Sequence, residues 1–348
     1  MTSSVCFGAL ALRPHGAGVS TYERELLTEI VDRLPQARLS AMVQRDAAPD
    51  LPPAIRAIEK PVAAGARRAW YGLAPTPRVD VFHGLDVDVP LTGPGTMVST
   101  VHDCSVFDVP WAFSRYRALG ERALLRQAIH RADLLIAVSH FTAERIARRF
   151  HRDSIVVPLA PARWTRVVGD DEVVAIRAKY GLPDLFIIQI GTVEPRKNVH
   201  LVADVARDLG VPLVLAGAGS TGPGTPKTAR GLGFVDTDDL PALYRAATVV
   251  TYASVYEGFG LPPVEAMACG GAVVASDVGA LADVCADGAI LVHSDERTAW
   301  KRRIGELVSD AEANRELRDN AVRVAGRMSW ASTAAQTVSA YRDAGIIC

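Results

Sequence analysis

The sequence predicts an α/β protein built as two halves, each around a mainly parallel sheet. Three observations predict it. With 348 residues the chain is long enough for about two domains. Short apolar runs alternate with amphipathic stretches along its whole length, the pattern of strands joined by crossover helices. Between Val156 and Val168 that alternation breaks at a segment holding Pro158 and Pro161, and then it restarts, which places a linker there.

In the first half, Val5–Leu12 reads as a strand, followed by the loop Gly16-Ala17-Gly18. Val19, Tyr22, Leu26, Leu27, Ile30, Val31 and Leu34 then fall at helical spacing, with Glu23 and Glu25 in the early turns. Val79–His83, Thr96–His102 and Leu134–Val138 are further strand candidates. Helices are expected around Arg115–His130 and from Thr142. In the second half the expected strands are Leu185–Ile190, Val211–Ala216, Val249–Ala253 and Ala272–Ser276, and the helices are Val199–Leu209, Leu240–Ala246 and Pro263–Ala268.

Composition narrows the function. With 49% hydrophobic and 22% charged residues the chain packs as an ordinary globular protein, so disorder, collagen and coiled coil are excluded. Its 38 basic and 39 acidic residues give a net charge of −1, without the positive surplus of a dedicated nucleic-acid binder. The first ten residues carry no cationic leader region, and no run of about 18 apolar residues occurs, so a cytoplasmic chain is expected. Cys6, Cys104, Cys269, Cys285 and Cys348 are odd in number and lack a CxxC, the pattern of reduced packing residues rather than of a disulfide or zinc framework.

Several loops carry residues suited to chemistry. Gly16-Ala17-Gly18 lies between a strand and a helix, where backbone amides and the helix start could face a phosphate; a tight structural turn reads equally well, because Thr21 stands where a third glycine would complete a dinucleotide fingerprint. The stretch Gly191-Thr192-Val193-Glu194-Pro195-Arg196-Lys197-Asn198 follows a strand, at the edge where open α/β sheets bind ligands. Arg196 and Lys197 there would form a clamp for a diphosphate. In the competing reading the cations are solvated and Asn198 merely caps the next helix.

Glu257-Gly258-Phe259-Gly260-Leu261-Pro262-Pro263-Val264-Glu265 is the most informative stretch. Glycines free its amides and the prolines suit a first helical turn. Glu257 could accept hydrogen bonds from vicinal hydroxyls of a sugar or ribose, whereas Glu265 is also explained by the helix dipole. His102-Asp103 stands at a strand's carboxyl end and could act as acid or base. His83, His140 and His293 are expected to be structural. Asp86-Val87-Asp88 has the form of a DxD metal signature but lacks supporting ligands, so no metal is expected. Ser139-His140 lacks the context of a nucleophile elbow.

On these residues the chain resembles the family-4 retaining glycosyltransferases, nearly end to end. The resemblance is carried by the Gly16–Tyr22 turn, Val101-His102-Asp103, Arg131-Ala132-Asp133 to Ser139, Gly191–Asn198, Leu240–Ala246, and the two glutamates eight positions apart, Glu257 and Glu265. It implies the GT-B architecture, in which two Rossmann-like domains with parallel sheets face each other across a cleft. The implied division is residues 1–160 on the acceptor side, 161–326 for the nucleotide sugar, and a C-terminal segment, 327–348 around Ser329-Trp330, crossing back. Arg196 and Lys197 would then grip the donor diphosphate, Glu265 the ribose and Glu257 the sugar hydroxyls. Gly191, Gly258, Phe259, Gly260 and Leu261 would line the donor, Gly16 and Gly18 would approach the diphosphate, and Phe234-Val235 would lie beside the base. His102, with Asp103, matches the family histidine near the reacting sugar.

The implied reaction retains the anomeric configuration by front-face substitution, the leaving phosphate helping to deprotonate the acceptor, without a metal or other cofactor. The Glu-Pro-Arg-Lys-Asn form and the His-Asp loop resemble mannosyltransferase-like members of the family, which favours GDP-mannose, with UDP-glucose, UDP-GlcNAc and deoxysugar nucleotides open. The sequence departs from the family at Tyr252-Ala253-Ser254, Gly270-Gly271-Ala272 and Asp283. A nucleotide-sugar epimerase or hydrolase and a non-catalytic binding subunit are the alternatives. The acceptor stays open among a glycan, a lipid-linked sugar and a small natural product, as do the oligomeric state and a peripheral contact at the inner membrane face through Arg67, Arg68, Trp70 and Tyr71.

Overall fold

The structure is a computed structural model that describes residues 3–14, 16, 18–75, 78–93 and 95–347. Ala17 of the glycine turn and Cys348 lie outside the described residues. The chain forms two compact units, residues 1–159 with 329–348, and residues 160–328.

The first unit runs β1 (Ser4–Gly8), α1 (Val19–Ile30), β2 (Arg38–Gln44), β3 (Ile55–Lys60), α2 (Gly65–Leu73), β4 (Val81–Gly84), β5 (Thr96–Val101), α3 (Ser105–Asp108), α4 (Arg115–Arg131), β6 (Leu134–Ala137), α5 (His140–Phe150) and β7 (Ile155–Val156). Its sheet has the order β3-β2-β1-β4-β5-β6-β7, and every pairing is parallel. The second unit runs α6 (Asp170–Tyr180), β8 (Ile187–Ile190), α7 (Val199–Leu209), β9 (Leu213–Ala216), β10 (Ala229–Gly231), α8 (Leu240–Ala246), β11 (Val249–Tyr252), α9 (Leu261–Ala268), β12 (Val273–Ser276), α10 (Leu281–Cys285), β13 (Ile290–Val292), α11 (Arg297–Ser309) and α12 (Ala311–Ala325). Its sheet, also parallel, has the order β10-β9-β8-β11-β12-β13. The last helix, α13 (Trp330–Asp343), belongs to the first unit, where it packs on α1.

The expected strands are present but shorter, because a strand ends where its backbone pairing ends. β1 stops at Gly8 rather than running to Leu12. A Cβ on Gly8 would come within 2.6 Å of the Asp88 carbonyl oxygen, so the loop beyond β4 folds back over the end of β1 only because that residue is glycine. β2 was not expected. Its polar Ser40 and Gln44 hide it, yet the strand is buried from Leu39 onward. Gln44 is tolerated there because its Nε2 donates to the Leu10 carbonyl at 2.8 Å and its Oε1 accepts from the Ala63 amide at 2.6 Å.

Each face of the second sheet carries its own core. Phe186, Ile188, Val214, Leu243, Tyr252 and Val273 pack on one side with α6, α8, α9 and α12, while Val202, Val205, Leu213, Val249, Trp300 and Ile304 pack on the other with α7 and α11. Arg318 of α12 fastens that helix to the sheet. Its guanidinium donates to the carbonyls of Arg245, Gly270, Ala247 and Thr248 and to Asn314, and burial first, then the nearby charges of Arg245 and Arg177, lower its pKa to about 10. Cys6, Cys104, Cys269 and Cys285 are buried and form no disulfide among the described residues, as packing residues should.

Candidate functional site

In the second unit the chain leaves β8 toward β9 and β10 on one side and returns through β11 to β12 and β13 on the other. The crevice outside the carboxyl ends of β8 and β11 is therefore the topological switch point, where parallel sheets of this kind bind ligands. Gly191–Asn198 leaves β8 at this point and Glu257 follows β11.

Gly191 adopts φ 145°, a conformation suited to glycine, and Gly217 beside it admits no Cβ, which would lie 2.5 Å from the Gly191 carbonyl oxygen. Pro195-Arg196-Lys197 form a single 3-10 turn, after which Asn198 takes the left-handed conformation, φ 47°. Asn198 does not cap α7 through its side chain as the competing sequence reading requires; its Nδ2 donates to the Ser294 carbonyl at 3.4 Å. Gln189, buried in β8, donates to the Lys197 carbonyl at 3.1 Å and so fixes the turn.

The turn brings its cations onto Glu257. Lys197 Nζ lies 2.5 Å from Glu257 Oε1 and Arg196 Nη1 3.4 Å from Oε2. Arg196 is also held by the Tyr256 carbonyl at 3.0 Å and by Glu194 at 2.8 Å. Burial would raise the Glu257 pKa, but Lys197 and then Arg196 outweigh it and hold the carboxyl below its usual range. The carboxylate is thus ionised and only 6% exposed.

Beyond Glu257 the chain turns at Gly260, φ 99°, into α9, whose first turn contains Pro262 and Pro263. Phe259, Leu261 and Glu265 are buried, and Gly258 precedes them in the turn. Phe234 is 63% exposed, whereas the Val235 side chain packs into the core, so of that pair only Phe234 has its side chain at the surface. Glu194, Gln189 and Gly279 escaped the sequence reading. Gly279 supports Glu257 from behind: its φ is 59°, and a Cβ there would lie 2.2 Å from the Glu257 carbonyl oxygen. Glu194 was visible within the motif; nothing in the sequence marked the other two.

The remaining candidates lie in the first unit. His102, half-buried, donates from Nε2 to the Leu85 carbonyl at 2.8 Å and meets the Tyr22 ring edge-on at 4.7 Å. That bond assigns the proton to Nε2 and leaves Nδ1 as an acceptor when the ring is neutral. Asp103 bonds within its own loop: its Oδ1 accepts from the amide and hydroxyl of Ser105 at 2.8 and 2.6 Å, just ahead of α3. Gly18 begins α1 with φ 63°, and a Cβ on Gly16 would strike the Ser20 hydroxyl. Asp86 and Asp88 both bind Arg68, at 3.0 and 2.9 Å. His83 is structural, bonded to Tyr341 and Thr100; His140 opens α5 and His293 pairs with Asp295.

Two Rossmann-like units, with clustered cations and an ionised buried carboxylate at one switch point, define a GT-B glycosyltransferase. The chain belongs to the group 1 glycosyl transferases, within family 4. The model of that family, Glycosyl transferases group 1, matches residues 174–324. O-antigen chain mannosyltransferase B of Escherichia coli is 30% identical over 274 residues, which span 70% of each chain. Among solved structures, sucrose-phosphate synthase from Thermosynechococcus elongatus superposes with a TM-score of 0.76 at 20% identity, covering 98% of both chains. Anabaena HepE in complex with UDP-glucose does so with 0.72 at 19% identity, covering 97% of this chain and 99% of that one. Among the described residues no helix is long and apolar enough to cross a membrane.

Proposed function

We propose that the chain transfers a hexose from a nucleotide-diphosphate sugar, GDP-mannose before UDP-glucose, to an acceptor hydroxyl with retention of configuration and without a metal. The observation that carries this is the Lys197–Glu257 pair at the switch point, with Arg196 braced beside it. Departure of a nucleoside diphosphate builds negative charge, and two fixed cations with the amides of Gly258–Gly260 are suited to stabilise it. Glu257, kept ionised, accepts hydrogen bonds from sugar hydroxyls while Lys197 turns toward the phosphates. Glu265 is assigned to the ribose and Phe234 to the base. His102 is assigned to the acceptor side, through the lone pair on Nδ1. The similarity to a mannosyltransferase supports mannose, and the UDP-glucose complex of the structural relative keeps glucose as the comparison.

Calorimetric titration with GDP-mannose and UDP-glucose, followed by turnover with each in EDTA, tests the reading. Lys197→Ala and Glu257→Ala should each lower turnover at least 100-fold, the scale of losing a group that acts on developing charge. Circular dichroism must establish that the variants fold, because breaking a buried pair costs about 3–5 kcal/mol. Wild-type turnover in folded Lys197→Ala, or activity abolished by EDTA and restored by a divalent cation, refutes it.

A further inference from the structure

Helix α4 carries an apolar stripe on the side that faces solvent. Its buried residues are Ala118, Leu125, Ala128 and Ile129. At 3.6 residues per turn, Tyr116, Leu119, Gly120 and Ala123 lie on the opposite side, followed there by Gln127 and His130 in the last turns; the first four are all exposed, Tyr116 at 91% and Leu119 at 69%, so the stripe occupies the first half of the helix. A helix that merely covers a core shows charge there. Here the charges stand on the flanks: Arg115 and Arg126 along one edge, Arg117 with Glu121 along the other. The whole helix has five arginines and one glutamate. Trp111, in the turn just before it, is 61% exposed.

We propose that this face of α4, together with Trp111, docks on an anionic lipid bilayer surface. Tyrosine and tryptophan rings settle at the boundary between headgroups and acyl chains, where leucine buries apolar area. The flanking arginines can extend along an apolar surface and keep their charge among anionic headgroups. Charge decides between occupants. A second copy meeting this face about a twofold axis would set the two arginine rows against each other. The edge expected from the sequence serves less well, since Arg68 of α2 is neutralised by Asp86 and Asp88 and Tyr71 packs against the core, leaving only Arg67 and Trp70 exposed.

The test is flotation of the full chain, without substrate, on phosphatidylcholine vesicles with and without about a third phosphatidylglycerol. Binding should require the anionic lipid and fall with salt. Leu119→Glu should weaken it about tenfold or more, and Arg115→Ser or Arg126→Ser about fivefold each, the loss of one cation near the surface; Trp70→Ser should not change it. Circular dichroism of each variant should match wild type, since all these side chains are exposed. Equal binding to neutral vesicles, no binding to anionic ones, or a Leu119→Glu variant that binds like wild type overturns the proposal. So does self-association in sedimentation that Leu119→Glu abolishes, which would make a second copy the occupant. Donor turnover is measured separately, so a failed transferase reading leaves the vesicle result standing.

Discussion

Acid should loosen the C-terminal helix through one histidine. His83, in β4, is fully buried against α13, with Nδ1 2.6 Å from the Tyr341 hydroxyl and Nε2 2.8 Å from Thr100, whose hydroxyl also meets Tyr22 at 2.9 Å. Burial first, and then the neighbouring His102, bring its pKa from 6.5 down to about 3. The unfolded chain therefore binds the proton more readily than the folded one. Stability is intact above pH 6.5 and is lost as pH falls through that value toward 3. From these two pKa values the loss between pH 7 and pH 5 is about 2 kcal/mol. Urea unfolding at the two pH values, with hydrogen exchange of the α13 amides, measures it. His83→Gln replaces the ring by an amide that does not titrate, so the variant, whatever its stability at pH 7, should lose about 2 kcal/mol less on acidification. If wild type and variant lose the same amount, the histidine is not the acid-sensitive tie and the reasoning fails.

Two further outcomes follow from the same physics. Glu23 is fully buried in α1, and burial first, then Asp88 and Asp86, push its pKa well above 4.5. A raised folded pKa in an acid costs stability that grows with pH above the unfolded value, so Glu23→Gln should raise the melting temperature, and by more at pH 8 than at pH 5; an equal or opposite shift in calorimetry contradicts the assignment. Gly279→Ala forces a side chain into the left-handed region against the Glu257 carbonyl, which should cost about 2 kcal/mol or more and lower donor turnover in step, whereas a silent substitution would show that Gly279 does not set the Glu257 loop.

The sequence made the fold class legible because apolar runs bounded by turns mark parallel strands whatever their partners. Val199–Leu209 and Leu240–Ala246 match α7 and α8 residue for residue; Gly210 stops the first in the left-handed conformation and Pro241 stands in the first turn of the second. What stayed hidden depends on distant residues. β2 reads as polar until Leu10 and Ala63 satisfy Gln44. The candidate site divides the same way. Arg196, Lys197 and Glu257 announce themselves by type and by position after a strand, whereas the bonds of Asp103 to Ser105 have no sign in the sequence. Gly279 carries no sign at all, because its necessity is set by a carbonyl 22 positions away in the chain.

The two switch points also differ in a way that bears on where a diphosphate goes. In the first sheet the crevice between β1 and β4 receives the loop of Asp86 and Asp88, with Asp88 accepting from the Leu10 amide at 3.2 Å and Arg68 neutralising both carboxylates. Burial pushes the Asp88 pKa up to about 6 against the pull of that guanidinium, and Glu23 nearby is driven toward its neutral form. Carboxyls outnumber cations there, so an incoming anion would meet repulsion at the place where the fold offers it room. In the second sheet cations and carboxylates are equal in number, and the two cations stand at the edge where a ligand arrives. Lys197 and Arg196 face the Glu257 carboxylate, with Glu194 holding the far side of the guanidinium. Charge reversal at Lys197 should therefore abolish diphosphate binding, while Arg68→Ala should leave it intact and lower only the stability of the first unit. Titration of both variants with GDP separates the two cases, and GDP affinity lost on Arg68→Ala would move the diphosphate to the first switch point.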